Sequence, residues 1–271
     1  MISFPNCKIN IGLYITNRRD DGYHDLETVF YPVSLNDVLE ITPANATNLF
    51  ITGKEVAGNT TDNLVWKAWQ LLQHKYPTQV PAFDIWMIKT IPMGAGLGGG
   101  SADAAFMLKL INDYCKLNLN KEELSALALE LGSDCPFFIY NTPHYASGRG
   151  EQMHPIELDL SAYSIQLICP DIHISTAKAF QMIIPAAAPF NLRKLKEMPI
   201  ELWKEYISND FEIPMYEMHP ELEGITEQLY NQGAIYAAMS GSGSTMYGIF
   251  EKGKRAEISS SKLQLETFYV A

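Results

Sequence analysis

Residues 91–105 read IPMGAGLGGGSADAA: five glycines in fifteen residues, running directly into alanines. Glycine adopts a positive φ without strain and lets another group come close to the main chain. The alanines promise a helix, and a helix N-terminus presents unpaired N–H groups and a partial positive charge. A glycine-rich approach to such an end makes an anion site, with phosphate as the usual anion. A bland surface connector is the competing reading. It fits poorly, because so much glycine beside Pro92 and a well-patterned helix carries a high entropic cost. Two common phosphate motifs also fit poorly. The P-loop ends in Gly-Lys-Ser/Thr, whereas these glycines end in Ser101-Ala102. Gly94, Gly96 and Gly99 satisfy G-x-G-x-x-G, but a dinucleotide fold needs a second strand ending in an acid about 20 residues on. A helix, a turn and another helix follow here instead.

The rest of the chain sets the frame. Its 271 residues are 47% apolar and 19% charged, with a net charge of −11. That suits a soluble protein of one large or two modest domains and argues against a general nucleic-acid binder. No apolar run approaches a membrane span, and the N-terminus lacks the order of a signal peptide. Cysteines at 7, 115, 135 and 169 show no metal or disulfide spacing. They read as reduced thiols of a cytoplasmic protein.

Strands are expected over CKINIGLYIT, TVFYPV, DVLEIT and FDIWMIK, with RRDDGY as a turn. TDNLVWKAWQLLQHKY reads as a helix capped by Thr61 or Asp62. SADAAFMLKLINDYC is a helix with Ala104, Ala105, Leu108 and Ile111 toward a core. NKEELSALALELG is another, with Asn120 and Glu123 as a capping pair and Gly132 as the stop. SDCPFFIY reads as a loop entering a strand. Beyond residue 155 come a strand (SIQLICP), a short helix (STAKAFQMI), a Pro-punctuated region and a helix ending at Gly233. A hairpin over AIYAAMSGSGSTMYGIF follows, then a helix over KRAEISSSKLQL and a last strand. The class is α+β, in two lobes, 1–155 and 156–271.

PMGAGLGGGSADAA resembles the nucleotide loop of the GHMP kinases. NCKINIGLYITNRRDDGYHDLETVF, LGSDCPFFI and SGSGSTMYGIF are similar, in the same order, to the other motifs of one branch. That branch phosphorylates a cytidyl-diphosphate sugar alcohol in the non-mevalonate isoprenoid pathway. The resemblance covers nearly the whole chain. It implies a ribosomal-protein-S5-like α/β lobe and a C-terminal ferredoxin-like lobe with the active site between them, and an ATP- and Mg²⁺-dependent kinase, monomeric or homodimeric.

It also implies site residues. Pro92, Met93, Gly94, Ala95, Gly96, Leu97, Gly98, Gly99, Gly100, Ser101 and Ala102 form the nucleotide loop. Ser101 either caps the helix or touches phosphate or Mg²⁺. Asp103 assists there or favours the helix N-terminus electrostatically. Asn63 and Lys89 match positions near the adenine, though Lys89 equally suits a solvated strand end. Asp134 corresponds to the catalytic base, where the residues alone suggest a turn aspartate. Lys8 is implied to orient Asp134 and keep it ionised. Asn10 is a neutral donor on the face of Lys8. For a cytosine ring, Tyr23 and Phe180 would stack on opposite faces, His24 would read the edge and Phe30 would pack nearby; each also suits an ordinary turn or core role. Gly241 and Gly243 let the third loop approach substrate phosphates. Two departures stand out. Ser101-Ala102-Asp103 replaces the Ser-Ser-Asn frequent in relatives, and Cys7 replaces a more usual alanine. A GHMP kinase for another small alcohol and a non-catalytic binding relative are the alternatives. The second would be favoured by loss of Lys8 or Asp134, and both are present.

Overall fold

The computed structural model describes residues 1–270. In chain order its elements are β1 (Ile2–Ser3), β2 (Asn6–Arg18), β3 (His24–Asn36), β4 (Val38–Pro43), β5 (Asn48–Gly53), α1 (Leu64–Lys75), β6 (Phe83–Lys89), α2 (Gly99–Cys115), α3 (Lys121–Leu131) and α4 (Cys135–Tyr140), then β7 (His144–Ser147), β8 (Gln152–Pro155), β9 (Tyr163–Pro170), α5 (Thr176–Gln181), α6 (Trp203–Tyr206), α7 (Glu212–Met218), α8 (Pro220–Asn231), β10 (Tyr236–Met239), β11 (Met246–Glu251) and β12 (Leu265–Val270). The chain forms two compact units drawn from interleaved segments rather than from contiguous halves. The first comprises residues 1–7, 35–93 and 98–142; the second comprises 8–34, 94–97 and 143–271.

The first unit holds the sheet β1-β4-β6-β5 with α1 to α4. Along β6 the phase is strict: Phe83, Ile85 and Met87 are buried, whereas Trp86 and Ile88 are exposed. Lys89 continues the buried phase. Asn63, not Thr61 or Asp62, caps α1, accepting the Val65 N–H at 2.8 Å; residues 60–62 form a short 3₁₀ turn instead. Asn120 and Glu123 form the expected capping box on α3 at 2.9 Å each way. Such a cap contributes about 1 kcal/mol. Ala104, Ala105, Leu108 and Ile111 of α2 are all fully buried.

DCPFFIY is a helix, not a strand. Pro136 stands in its first turn, where a missing N–H costs nothing. Asn141 ends it in the left-handed conformation, donating its N–H to the Phe137 carbonyl at 2.7 Å. The aromatic run simulated a strand because a short buried helix and a buried strand are equally apolar.

The second unit holds the sheet β10-β11-β9-β12 and the greater part of β2-β3-β7-β8. The hairpin β10–β11 forms as expected, with Met239 opposite Met246. The helix expected over KRAEISSSKLQL is absent. Its backbone is irregular, with bends at 261–263, and is held by glutamine amides, each giving and taking one bond. Gln166 pairs with Ala256 (2.9 and 2.9 Å), Gln232 with Glu257 (2.9 and 2.8 Å) and Gln228 with Ser259 (3.1 and 3.2 Å). These partners replace helical bonds, so the segment leaves few polar groups unmet.

None of the four cysteines forms a disulfide; Cys7, Cys135 and Cys169 are buried and Cys115 is partly exposed. Burial pushes the Cys135 thiol up to about 12 and raises that of Cys115 as well.

Glu212 of α7 accepts the Met239 N–H at 2.7 Å and the Asn209 N–H at 3.4 Å. Burial outweighs these bonds and raises its pKa to about 7. A carboxyl whose pKa rises on folding binds a proton the unfolded chain has released, so folding stability declines as pH climbs from about 4.5 to 7. The decline is on the order of 3 kcal/mol at most. In Glu212→Gln, urea midpoints measured across that window should lose this slope while the wild type keeps it. Parallel curves would place the proton elsewhere.

Candidate active site

In the second unit, β2 carries Lys8 and Asn10, both 3% exposed. The Lys8 ammonium donates to Asn10 Oδ1 at 2.6 Å and to the Gly96 carbonyl at 2.8 Å. It lies 5.3 Å from the centroid of the Phe30 ring. Asn10 Nδ2 donates to Thr28 Oγ1 at 3.0 Å, and that hydroxyl donates to the Gly12 carbonyl at 2.6 Å. Asn10, expected as a donor to substrate, therefore serves first to orient Lys8. Phe30, expected near the cytosine, is buried with its ring against this ammonium.

The loop between β10 and β11 meets the same group. Ser240 Oγ donates to the Gly96 carbonyl at 2.9 Å and accepts the Asn10 N–H at 3.3 Å. The Thr245 N–H donates to the Ala95 carbonyl at 3.2 Å and the Lys8 N–H to that of Leu97 at 3.0 Å. Gly241 and Gly243 have φ of +59° and +92°, which the turn requires. Asn209 Nδ2 holds the Met239 and Gly241 carbonyls at 2.8 Å each. A Cβ on Gly96 would collide with the Ser240 carbonyl. Three motifs distant in sequence thus converge on the Gly96 carbonyl.

The aromatic residues sort differently from expectation. Phe180 of α5 stacks on His24, with centroids 5.1 Å apart and planes at 23°, and meets Phe211 edge-on at 4.9 Å. Tyr23 is 57% exposed, with the Arg149 guanidinium 4.9 Å above its ring. Phe180 is thus the partner of His24, and one face of Tyr23 is already covered.

In the first unit, α2 begins at Gly99, and Gly98 stands at its N-cap with φ +70°. No side chain caps this end, so the amides of its first turn lack helical acceptors. Ser101 is in that turn rather than at the cap. Gly94, Gly96 and Gly98 all adopt positive φ. A Cβ on Gly100 would meet only Leu64, at 3.9 Å, whereas one on Gly99 would press on Ile91 and Lys89. Met93 is exposed, Pro92 half-buried, and Ala95, Leu97 and Ala102 are buried.

Lys89 is neither solvated nor open to a ligand: it is 1% exposed and paired with Asp37 and, at 2.6 Å, with Asp103. Burial raises the Asp103 carboxyl to about 7, with Lys89 opposing and Asp37 adding to the rise. Asn63 is the α1 cap described above. Asp134 is half-buried at the N-terminus of α4 in right-handed helical conformation and makes no capping bond. Among the described residues no three His, Cys, Asp or Glu side chains gather as a metal site. No helix among the described residues is long and apolar enough to cross a membrane.

Sequence reasoning missed Asp37, Thr28, Asn209 and Ser240. The period of β6 offered one signal, placing Lys89 on the buried face, where an acid partner becomes obligatory.

Residues 63–142 match the model of the GHMP kinases N terminal domain, and 191–266 that of the GHMP kinases C terminal. A 4-diphosphocytidyl-2-C-methyl-D-erythritol kinase of Parabacteroides distasonis is 49% identical over 252 residues, covering 93% of this chain and 92% of that protein. One of Chlorobium luteolum is 36% identical over 253 residues, 90% of this chain and 87% of that protein. A crystal structure of 4-(cytidine 5'-diphospho)-2C-methyl-D-erythritol kinase superposes with a TM-score of 0.75 at 30% identity, covering 92% of this chain and 90% of that one. The mevalonate kinase of Methanococcus jannaschii shares the fold at 13% identity, with a TM-score of 0.71 over 100% of this chain and 97% of its own.

Proposed function

This chain belongs to the GHMP kinase family, and on that premise we propose that it transfers the γ-phosphoryl group of ATP to the 2-hydroxyl of 4-diphosphocytidyl-2-C-methyl-D-erythritol, in the non-mevalonate (methylerythritol phosphate) isoprenoid pathway. The observation behind the phosphate half of this reading is the uncapped start of α2, reached through three glycines of positive φ. Amide N–H groups at such an end donate directly to phosphate oxygens. The specific substrate follows from relatives that resemble the chain over nine-tenths of its length.

In the proposed reaction the 2-hydroxyl oxygen bonds to the γ-phosphorus as the bridge to the β-phosphate breaks. ADP leaves, and the hydroxyl proton passes to the Asp134 carboxylate. Lys8, held by Asn10 and Gly96, supplies positive charge to the transferring group. Mg²⁺, expected with the nucleotide, would neutralise the developing phosphate charge, and Ser101, in the first turn of α2, would be the side chain to assist in holding it. His24 and Phe180 offer a stacked aromatic surface to the cytosine, and Tyr23 a second, exposed ring. We place the protein in the cytoplasm.

The deciding assay is ADP release with the cytidyl alcohol against mevalonate and homoserine. Stimulation by the cytidyl alcohol alone is expected. A preference for another alcohol would move the chain to a different branch, and no turnover with any would leave a binding protein.

The glycines allow a sharper test of the phosphate site. Gly100→Ala has room for its Cβ and should gain about 0.5–1 kcal/mol of helix stability. That methyl would nevertheless stand where phosphate approaches the amides. A higher melting temperature with weaker ATP binding by equilibrium titration is expected; unchanged affinity would remove Gly100 from the cradle. Gly96→Val behaves otherwise. Its collision with the Ser240 carbonyl makes it a folding defect, whatever Gly96 does for ATP.

A further inference from the structure

The end of β6 carries charges that the proposed chemistry does not use. Lys89 donates to both Asp37 and Asp103. Asp37, itself fully buried, gives its other oxygen to the amides of Thr90 at 2.6 Å and Ile91 at 2.8 Å. The Lys89 carbonyl accepts the Lys54 N–H at 2.8 Å. Glycine at 53 is needed beside that carbonyl, where a Cβ would collide. Across the loop, a Cβ on Gly99 would lie 2.8 Å from Ile91 and 3.1 Å from Lys89 Nζ. The strand end at 89–91 and the helix start at 99–103 are therefore fastened to each other. One buried ammonium lies between two carboxylates, and glycines permit the close approach. Residues 92–98 run between these two fastened ends, their carbonyls at 95–97 also held by Lys8, Ser240 and Thr245.

We propose that Asp37 is a positioning residue for the glycine loop: through Lys89 and the Thr90 and Ile91 amides it fixes the loop's stem against α2, and the strength of that hold sets ATP affinity. The second clause rests on the reading of the loop as the ATP site; the first does not. Lys89 then acts on the nucleotide through the backbone and not by contact. An unpartnered Asp103 oxygen, buried without a hydrogen bond, shows that the cluster is built around Lys89 and not around symmetric pairing of its acids.

Two readouts test this on the full-length protein. Asp37→Asn keeps an oxygen for the two amides but turns an NH₂ toward the ammonium. Amide exchange over residues 92–98 should quicken while that in α3 stays as in the wild type. ATP affinity should fall roughly tenfold or more, the scale of a charged hydrogen bond at the low end of its range, with affinity for the cytidyl alcohol retained. Asp103→Asn, which preserves an acceptor for Lys89, should weaken ATP less than Asp103→Ala does. If Asp37→Asn fails to fold, the Asp103 pair supplies both readouts.

Unchanged exchange over 92–98 in a variant that merely melts earlier would overturn the proposal. So would parallel loss of both ligands. Quickened exchange with unchanged ATP affinity would overturn the link to binding. A wild type that binds no ATP would instead refute the kinase reading, and the exchange data would still judge the hold of Asp37 on the loop.

Discussion

Asp134→Asn should lower kcat by on the order of 10²–10⁴-fold, the range for a positioned general base, with KM for ATP nearly unchanged. The carboxylate stands at the start of α4, whose Cys135, Pro136, Phe137 and Phe138 are all buried. Its backbone is thereby fixed, and asparagine keeps the shape while removing the proton acceptor. Because the side chain makes no capping bond, the exchange should not cost the helix its N-terminus. A melting curve on the same preparation separates chemistry from folding. Single-turnover phosphoryl transfer with saturating ATP measures the step itself. Near-wild-type transfer would show that the base lies elsewhere.

Lys8→Met ranks second. Removing a preorganised charge from a transferring group commonly costs 10²–10³-fold in kcat. The buried ammonium donates to Asn10 Oδ1 and to the Gly96 carbonyl. Gly96 keeps Ser240 as a donor, whereas Asn10 Oδ1 loses this bond, at about 1–3 kcal/mol. An apolar isostere recovers part of that by relieving a buried charge. The melting temperature should therefore fall by only a few degrees, on the scale of about 2–4 °C per kcal/mol, while turnover collapses. A variant that keeps turnover within tenfold, or that melts far below the wild type, would contradict the electrostatic role.

Local chemistry was legible before the coordinates. The glycine run, the capping pair Asn120–Glu123, the stop at Gly132 and the Gly-Ser hairpin each carry their cause within a few residues. What escaped reading acts over distance. Asp37 and Lys89 lie 52 residues apart, and the pairing of Asn209 with Gly241 spans 32; no turn, cap or period announces either. Aromatic burial in DCPFFIY suits strand and helix alike. Residues 254–264 escaped for a different reason: their hydrogen bonds go to Gln166, Gln228 and Gln232, and a glutamine in a sequence does not declare its acceptor. The roles proposed for Lys8 and Asp134 rest on resemblance, whereas the bond from Lys8 to Asn10 needed the structure.

The distribution of thiols gives the chain a built-in handle. Cys115 ends the 17-residue helix α2 that Gly99 begins, about 24 Å along its axis at 1.5 Å per residue. It is the one cysteine with solvent access among four, so a maleimide dye meets a single address without mutagenesis. A fluorophore there sits at the far end of the helix whose uncapped first turn is the proposed phosphate site. It can register movement of that helix while leaving the cradle untouched. The three buried thiols then act as a clock, because a molecule labelled at any of them has first had to open.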